Sequence, residues 1–212
     1  RISFYSYAHV PWLKPGQRRF TEHDLPVGAE KLALYKLGKE MIAAAAYEDV
    51  GMDHFAKLSD ELFHAAENNT LHRNFMGYTD RYTPLMIGLG VSSISDAWTA
   101  FAQNVKTVEA YYELLATDTI PVVKGHLLTD EDLVLRRYIL DLMCQGQVQL
   151  RPDFPLNDLI VTRLAGMLAD GLVVIVGENV KITALGKSYL RNVCMAFDER
   201  LQASKADKPL FS

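Results

Sequence analysis

The segment Leu-His-Arg-Asn-Phe-Met-Gly-Tyr, residues 71–78, combines side chains that are typical of a ligand site. Its imidazole, guanidinium and amide groups can hold polar atoms of a ligand, while Phe75 and Tyr78 offer flat apolar walls. A second segment with glycine, titratable groups and an aromatic ring, Gly-Met-Asp-His-Phe-Ala-Lys, lies about 20 residues upstream at 51–57. Together the two segments predict two walls of one pocket.

Three of the six histidines follow or flank predicted strand ends, namely His9, His54 and His72. Because ligand sites of parallel sheets lie at the carboxyl ends of strands, a site shared by these three is one interpretation. The alternative is that each is an ordinary core or surface residue, which we expect for His23, His64 and His126. No His-x-x-x-His or paired-cysteine pattern occurs, so no metal site is predicted in this chain.

Composition narrows the class of protein. The chain has 212 residues, 49% of them hydrophobic, which is enough for one large domain or two modest ones. A net charge of -4 predicts no general attraction to nucleic acid or to anionic membranes. No apolar run reaches the roughly 18 residues of a membrane span. Two cysteines, Cys144 and Cys194, lie in different predicted helices, which favours free thiols in a reducing compartment and predicts a cytoplasmic protein.

Residues 1–126 alternate strand and helix signals, which predicts an α/β domain with a parallel sheet or barrel. We expect an opening strand at residues 1–7, and its lack of an initial methionine suggests a chain that starts inside a fold. A helix is expected over 28–47, a short strand over about 48–54, and a helix from Ser59. The run from Leu85 to Val91 is continuously apolar and predicts a strand buried on both faces. The last helix of this part is expected over 105–116.

Residues 127–212 have a different pattern and predict a second, mostly helical domain. Thr129 should cap a helix that reaches about Cys144, and a second helix should end at Gly171. A hairpin is expected over 172–183, followed by a third helix from Ala184 to about Ser204. This order is that of a winged helix. DNA binding is disfavoured, because the basic and acidic residues of this part are nearly balanced.

Several ordered motifs resemble those of the oxygen-independent coproporphyrinogen III oxidases, which belong to the radical S-adenosylmethionine enzymes. The matching segments are Tyr-Ala-His-Val-Pro (7–11), Gly-Met-Asp-His-Phe-Ala (51–56), Asp-Glu-Leu (60–62), Leu-His-Arg-Asn-Phe-Met-Gly-Tyr-Thr (71–79), Gly-Leu-Gly-Val-Ser-Ser-Ile-Ser (88–95), Leu-Met-Cys (142–144) and Arg-Asn-Val-Cys-Met-Ala-Phe-Asp (191–198). The resemblance covers essentially the whole chain.

The resemblance implies the C-terminal part of an incomplete (β/α) radical-SAM barrel over residues 1–126, followed by a winged-helix-like domain over 127–212. It implies an oxidoreductase of porphyrin and haem biosynthesis that converts two propionates of coproporphyrinogen III to vinyl groups, giving protoporphyrinogen IX. Two S-adenosylmethionine molecules and one [4Fe-4S] cluster would take part. In such enzymes the radical derived from S-adenosylmethionine removes a hydrogen from the propionate, and loss of carbon dioxide and an electron completes the alkene.

The family pattern also implies roles for single residues. Ala8 would lie at one S-adenosylmethionine and Ile94 at the other, with Phe75 and Met76 close to the reacting centre. The cluster ligands, a Cys-x-x-x-Cys-x-x-Cys run, do not occur in this chain. The family pattern gives no role to Asp53, His54, His72 or Arg73. From their chemistry alone they are expected to bind substrate together with His9, and the bases among them to face substrate carboxylates, since arginine binds these groups bidentately.

Two features of the sequence keep other interpretations open. Met76 stands where the family often has glutamine, so a radical S-adenosylmethionine enzyme with another substrate is an alternative. His9, His54 and His72 could instead serve a non-catalytic haem or tetrapyrrole carrier, since imidazole is a natural axial ligand of haem iron. The chain alone is expected to be inactive and to self-associate through an open barrel edge. The electron donor is not predicted.

Overall fold

The computed structural model describes residues 1–203, which form eleven short strands and seven α-helices within that range. The strands are β1 (Ile2–Ser3), β2 (Tyr47–Gly51), β3 (His54–Lys57), β4 (His72–Asn74), β5 (Gly77–Thr79), β6 (Ile94–Asp96), β7 (Ala100–Asn104), β8 (Val122–Leu127), β9 (Gln147–Gln149), β10 (Val173–Val176) and β11 (Asn179–Ile182). The helices are α1 (Gly28–Ala44), α2 (Glu61–Glu67), α3 (Val108–Ala116), α4 (Asp130–Gln145), α5 (Asn157–Ala169), α6 (Leu190–Met195) and α7 (Glu199–Ala203). No helix among these residues is long and apolar enough to cross a membrane.

The strands pair in four small antiparallel sheets, in the orders β1-β3-β2, β4-β5, β6-β7-β8 and β10-β11-β9. The prediction of a parallel sheet is therefore wrong for the described residues. One reason is that the strand expected over 48–54 is a hairpin, since β2 and β3 are joined by Met52 and Asp53. Asp53 adopts a left-handed conformation with φ 64°, which reverses the chain within two residues.

The buried strand predicted from Leu85 to Val91 is also wrong. Only Met86 forms a bridge, to Asp96, and the side chains of this segment are largely exposed, Leu89 by 83%. The glycines of the segment allow close backbone contact instead. A Cβ atom on Gly88 would lie 2.8 Å from the Ile94 carbonyl oxygen. Apolar composition alone therefore did not distinguish a buried strand from an exposed loop.

Several helix predictions are confirmed. Helix α4 begins with a reciprocal capping box between Thr129 and Asp132 and ends at Gly146, whose φ of 67° suits glycine. Helix α1 begins at residue 28 as predicted but ends at Ala44, since Tyr47 already belongs to β2. Helix α5 lies where the pattern placed it, and β10 and β11 form the expected hairpin.

The single helix expected from Ala184 is divided. A 3-10 turn at Gly186–Tyr189 leads directly into α6, and α7 follows separately. The predicted end at Ser204 lies outside the described residues.

Two apolar cores support the fold. The larger lies between α4, α5, α6 and the β9–β11 sheet, with Tyr138, Leu142 and Phe197 at its centre. The smaller joins β2, β3 and α2 to Leu71 and Tyr78. The Tyr78 hydroxyl donates to the carbonyl of Met143 at 2.8 Å, which fixes the β4–β5 hairpin against the end of α4. The hairpin that carries the predicted site is thus held by both cores.

Candidate functional site

The β4–β5 hairpin presents the residues predicted to lie at the reacting centre on its turn. Asn74 accepts the backbone N–H of Met76 through Oδ1 at 2.9 Å, and Gly77 follows with φ 126°. This local turn pushes two apolar side chains outward, so that Phe75 is 54% and Met76 87% exposed. Two large apolar side chains exposed on one tight turn indicate a contact surface rather than a core.

A cavity of about 600 Å³ lies beside this turn, between the hairpin, β7, α4 and the start of α7. Apolar side chains form much of its lining, and Phe75 packs edge to face on Phe101 with ring centroids 5.1 Å apart. The apolar lining residues are Phe75, Phe101, Leu128, Leu135, Ile139, Leu140, Met143 and Phe197. The other nine lining residues are polar or charged, so the cavity combines apolar walls with groups that can hold the polar atoms of a small organic ligand.

Arg73 is the charged group of the cavity that comes from the hairpin itself, beside the neutral amide of Asn74. Its guanidinium lies over the ring of Tyr78, with 4.7 Å between the guanidinium carbon and the ring centroid. Its Nη1 atom is shielded from solvent and has no hydrogen-bond partner in the described part of the chain. A charged donor without a partner is costly in a folded protein, which marks Arg73 as unusual.

The other arginines around the cavity are paired. Arg136 of α4 donates to Asp96 at 2.6 Å and to the Trp98 carbonyl at 2.7 Å, and its guanidinium stacks 4.3 Å from the Trp98 ring centroid. Arg200 of α7 contacts both carboxylate oxygens of Asp132, at 2.8 and 3.1 Å. Hydrogen bonds from Arg200, with those from Thr129, lower the pKa of Asp132 to about 2.

Residues 51–57 and 71–78 do meet, but through packing rather than as open walls. The His54 ring lies edge to face on Tyr78 at 5.2 Å, and its Nδ1 lies 2.8 Å from the Met52 carbonyl oxygen. Asp53 accepts the Tyr35 hydroxyl at 2.9 Å. Burial and this hydrogen bond raise the pKa of Tyr35. Asp53 and His54 are thus engaged in holding the β2–β3 turn.

The other two histidines lie against different neighbours. His72 packs edge to face on Tyr82 at 4.9 Å, and burial, aided by the charges of Arg136 and Arg137, lowers its pKa. His9 lies 5.2 Å from the Phe20 ring, and its Nδ1 is 3.3 Å from the Tyr7 hydroxyl. The three histidines that sequence reasoning grouped therefore have separate surroundings.

His9 lines a second cavity of about 500 Å³, together with Tyr5, Tyr7 and Tyr35. Ala8 lies in the same segment and is exposed, and its carbonyl accepts from Gln17 Nε2 at 3.2 Å. A hydrogen bond from Gln17 thus holds this segment beside an aromatic cavity.

Ile94 starts β6 and is positioned by a residue that sequence reasoning missed. The buried Asn104 donates through Nδ2 to the carbonyls of Gly88 at 3.1 Å and Gly90 at 2.9 Å, which fixes the loop before Ile94. Asp96 and Arg136 were missed as well, because they lie far apart in the chain. No local signal connects them.

The cysteines do not provide an iron-sulfur site. Burial raises the pKa of the Cys144 and Cys194 thiols to about 12, whereas cluster ligands are thiolates. Within residues 1–203, no group of three or more histidine, cysteine or acidic side chains could hold a metal ion. The described residues therefore do not fit a [4Fe-4S] cluster.

Comparison with known proteins gives a consistent result. No protein-family model matches the chain. It is 36% identical over its whole length to the oxygen-independent coproporphyrinogen III oxidase of Synechocystis and 34% to that of Escherichia coli, covering 48% of each. The oxidase of Thermostichus vulcanus is 36% identical over 95% of the chain, which spans 65% of that protein.

A solved structure shows the same similarity as the sequence comparison. The coproporphyrinogen III oxidase of Escherichia coli, described as a radical SAM enzyme, matches 94% of this chain with a TM-score of 0.85 and 34% identity. The resemblance to the oxygen-independent coproporphyrinogen III oxidases is thus confirmed. The chain spans about half the length of most of these relatives, 48% of the solved one.

Proposed function

We propose that this chain takes part in the oxidative decarboxylation of coproporphyrinogen III to protoporphyrinogen IX. The observation that carries the proposal is the similarity along the whole chain, 34–36% in sequence with a TM-score of 0.85 in structure. The exposed aromatic turn beside an apolar cavity supports it, because a tetrapyrrole is large and flat and needs such walls.

S-adenosylmethionine would supply the hydrogen-abstracting radical in this chemistry. The segment around Ala8 suits its adenine ring, because the neighbouring cavity has tyrosine walls. Ile94 would contact the second molecule from the loop that Asn104 fixes. The described residues contain no set of ligands for the cluster that activates the cofactor.

Within this proposal, Phe75 and Met76 lie at the reacting centre and act by shaping it. Neither side chain can transfer a proton, so their contribution is position and exclusion of water. His9, His54, His72 and Arg73 are the proposed contacts of substrate carboxylates, and Asp53 is a further proposed substrate-binding residue. Arg73 has the best support, since it lines the larger cavity and has a nitrogen without a partner.

The finer architecture belongs to the same proposal. Residues 1–126 would be the C-terminal part of an incomplete radical-SAM barrel, and 127–212 a winged-helix-like domain. The order α4, β9, α5, β10, β11, α6 supports the second assignment. The proposed location is the cytoplasm, and no electron donor is assigned.

A genetic test uses a chimera in which this chain replaces the matching half of the Escherichia coli oxidase. We expect the chimera to restore growth without added haem in a bacterial strain that lacks coproporphyrinogen III oxidase activity. Absence of growth, in cells that accumulate the soluble chimera with its iron-sulfur cluster, would contradict the proposal.

A radical S-adenosylmethionine enzyme with another substrate is the second candidate, and Met76 favours it. Its side chain is 87% exposed at the tip of the hairpin, where the family often has glutamine. Replacing Met76→Gln in the chimera separates the two. If coproporphyrinogen III is the substrate, activity should be present before the change and rise by up to about tenfold after it, the value of one neutral hydrogen bond. Activity that appears only after the change would favour the second candidate.

A further inference from the structure

One arginine in the lining of the cavity beside the hairpin forms no ion pair with the described residues. Of its three arginines, Arg136 is paired with Asp96 and Arg200 with Asp132. Arg73 makes no ion pair within residues 1–203. Of the remaining acids of the lining, Glu199 pairs with Arg163 at 2.8 Å, while Asp198 accepts the backbone N–H of Leu201 and forms no ion pair with Arg73. The cavity therefore has, on its hairpin side, a guanidinium without an ion pair that an anionic ligand could bind.

The contacts of Arg73 leave it able to take a carboxylate. Its Nη1 atom is shielded from solvent in the present side-chain position, yet it makes no hydrogen bond there. A rotation that turns Nη1 toward the cavity would break no hydrogen bond. A carboxylate in the cavity could then pair with two N–H groups of the guanidinium at once, which is the strongest form of this contact.

The rest of the lining suits the body of a tetrapyrrole. Phe75 and Phe101 stand edge to face on one side, and Leu135, Ile139 and Met143 of α4 form another. Phe75 lies two residues after Arg73, at the tip of the same hairpin. A propionate held by Arg73 would therefore be anchored next to the proposed reacting centre.

Coproporphyrinogen has four propionates, of which two react and two remain in the product. A bidentate arginine stabilises a carboxylate anion, and this stabilisation is lost when the group leaves as neutral carbon dioxide. Because an interaction stronger in the ground state than in the transition state slows a reaction, such an arginine is unsuited to a propionate that must leave. It suits one that stays.

We propose that Arg73 binds a propionate that the tetrapyrrole retains, and so fixes which propionates face the reacting centre. The inference rests on the proposed function and adds a specificity-determining residue to it. It assigns to Arg73 a role in orientation and binding, distinct from the role of Phe75 and Met76 at the reacting carbon atoms.

Two stable porphyrins test this inference by fluorescence titration of the 212-residue chain. Coproporphyrin III carries all four propionates, while protoporphyrin IX carries only the two that are retained. For Arg73→Met we expect affinity for both porphyrins to fall by the same factor, at least tenfold. Arg73→Lys, which keeps the charge but not the bidentate geometry, should lose less. Arg81→Met, at an arginine that is 87% exposed in its side chain, is the matched control and should change neither affinity.

The other outcomes overturn the inference in distinguishable ways. A loss confined to coproporphyrin III would mean that Arg73 holds a reacting propionate, and unchanged affinities would mean that it holds none. Both results leave the proposed function standing. Failure of the unchanged chain to bind either porphyrin would count against the inference and the proposed substrate together. Circular dichroism of each variant ensures that the comparison is between folded proteins.

Discussion

Arg136 connects helix α4 to the β6–β7 strand pair by an ion pair, a backbone hydrogen bond and ring stacking. Its side chain is 13% exposed and that of Asp96 is 11% exposed. The same guanidinium lies 4.8 Å from the ring centroid of Phe101, against which Phe75 packs. Arg136 therefore supports one wall of the candidate site as well as the fold.

Replacing Arg136→Met should lower the free energy of unfolding by about 3 kcal/mol, because it leaves the Asp96 carboxylate nearly buried without its cation. Denaturant unfolding followed by tryptophan fluorescence measures this, since Trp98 reports directly on the contact. The exposed Arg81→Met should change the stability by less than about 0.5 kcal/mol. Equal changes in the free energy of unfolding for the two substitutions would show that the Arg136–Asp96 ion pair does not stabilise the fold.

The cysteines allow a second prediction for single residues. The chain has two cysteines, fewer than a [4Fe-4S] cluster needs, and burial raises the pKa of both thiols. After anaerobic incubation with iron and sulfide, the 212-residue chain should remain colourless and should not cleave S-adenosylmethionine. Stoichiometric bound iron with the absorbance of a [4Fe-4S] cluster would contradict the assignment.

Among the elements, those with local signals were predicted and those decided by distant contacts were not. The capping box at Thr129 and the glycine after α4 define that helix within the sequence itself. The exposed loop at Leu89 has the composition of a buried strand, and only its tertiary contacts with Asn104 distinguish it. The antiparallel pairing of β2 with β3 was not predicted either. It depends on the tight turn at Asp53, whose left-handed conformation is uncommon for a residue other than glycine.

The candidate site, too, was predicted where its residues are contiguous in sequence and missed where they are distant. The 71–78 segment was recognised because its chemistry is contiguous in sequence, and the structure places Arg73 and Phe75 of it at one cavity. The rest of that cavity comes from Asp96 and Phe101, more than 20 residues further along the chain, and from residues between 126 and 200, more than 50 residues after Phe75. The grouping of three histidines depended on the parallel sheet, which the antiparallel pairing does not provide.

Helix α7 is attached to α4 by Arg200 and Asp132, which makes this contact sensitive to acid. The folded protein lowers the pKa of Asp132 to about 2, below its unfolded value of about 4. A lowered carboxyl pKa stabilises the fold above the unfolded pKa, and this contribution is lost as pH falls toward 2.

Arg200→Met should therefore be less stable than the unchanged chain at neutral pH, and the difference should shrink between about pH 4 and pH 2. Thermal unfolding across this range, repeated with Arg81→Met, measures the change. A difference that is constant with pH would show that the substitution acts by lost packing and not through the ion pair.

For the whole molecule, the exposed apolar surface is the main unexplained property. Helix α1 exposes Leu32, Leu34, Leu37 and Met41, and β1 lies at the edge of its sheet. Exposed apolar faces and open strand edges favour association with another chain.

The isolated 212-residue chain is therefore expected to self-associate. Light scattering over a range of concentrations should show a mass that rises above the monomer. Met41→Glu together with Leu37→Glu should reduce the association. A strictly monomeric chain at high concentration would contradict this expectation.

The proposed role of this chain in the decarboxylation of coproporphyrinogen III can be tested in an anaerobic assay of the chimera with the Escherichia coli half, in which cofactor cleavage and porphyrin products are measured together. We expect protoporphyrinogen IX, with two molecules of S-adenosylmethionine cleaved for each product, one for each propionate lost. Cleavage of S-adenosylmethionine with coproporphyrinogen III left unchanged would show a working radical enzyme with the wrong substrate, and would contradict the proposed role.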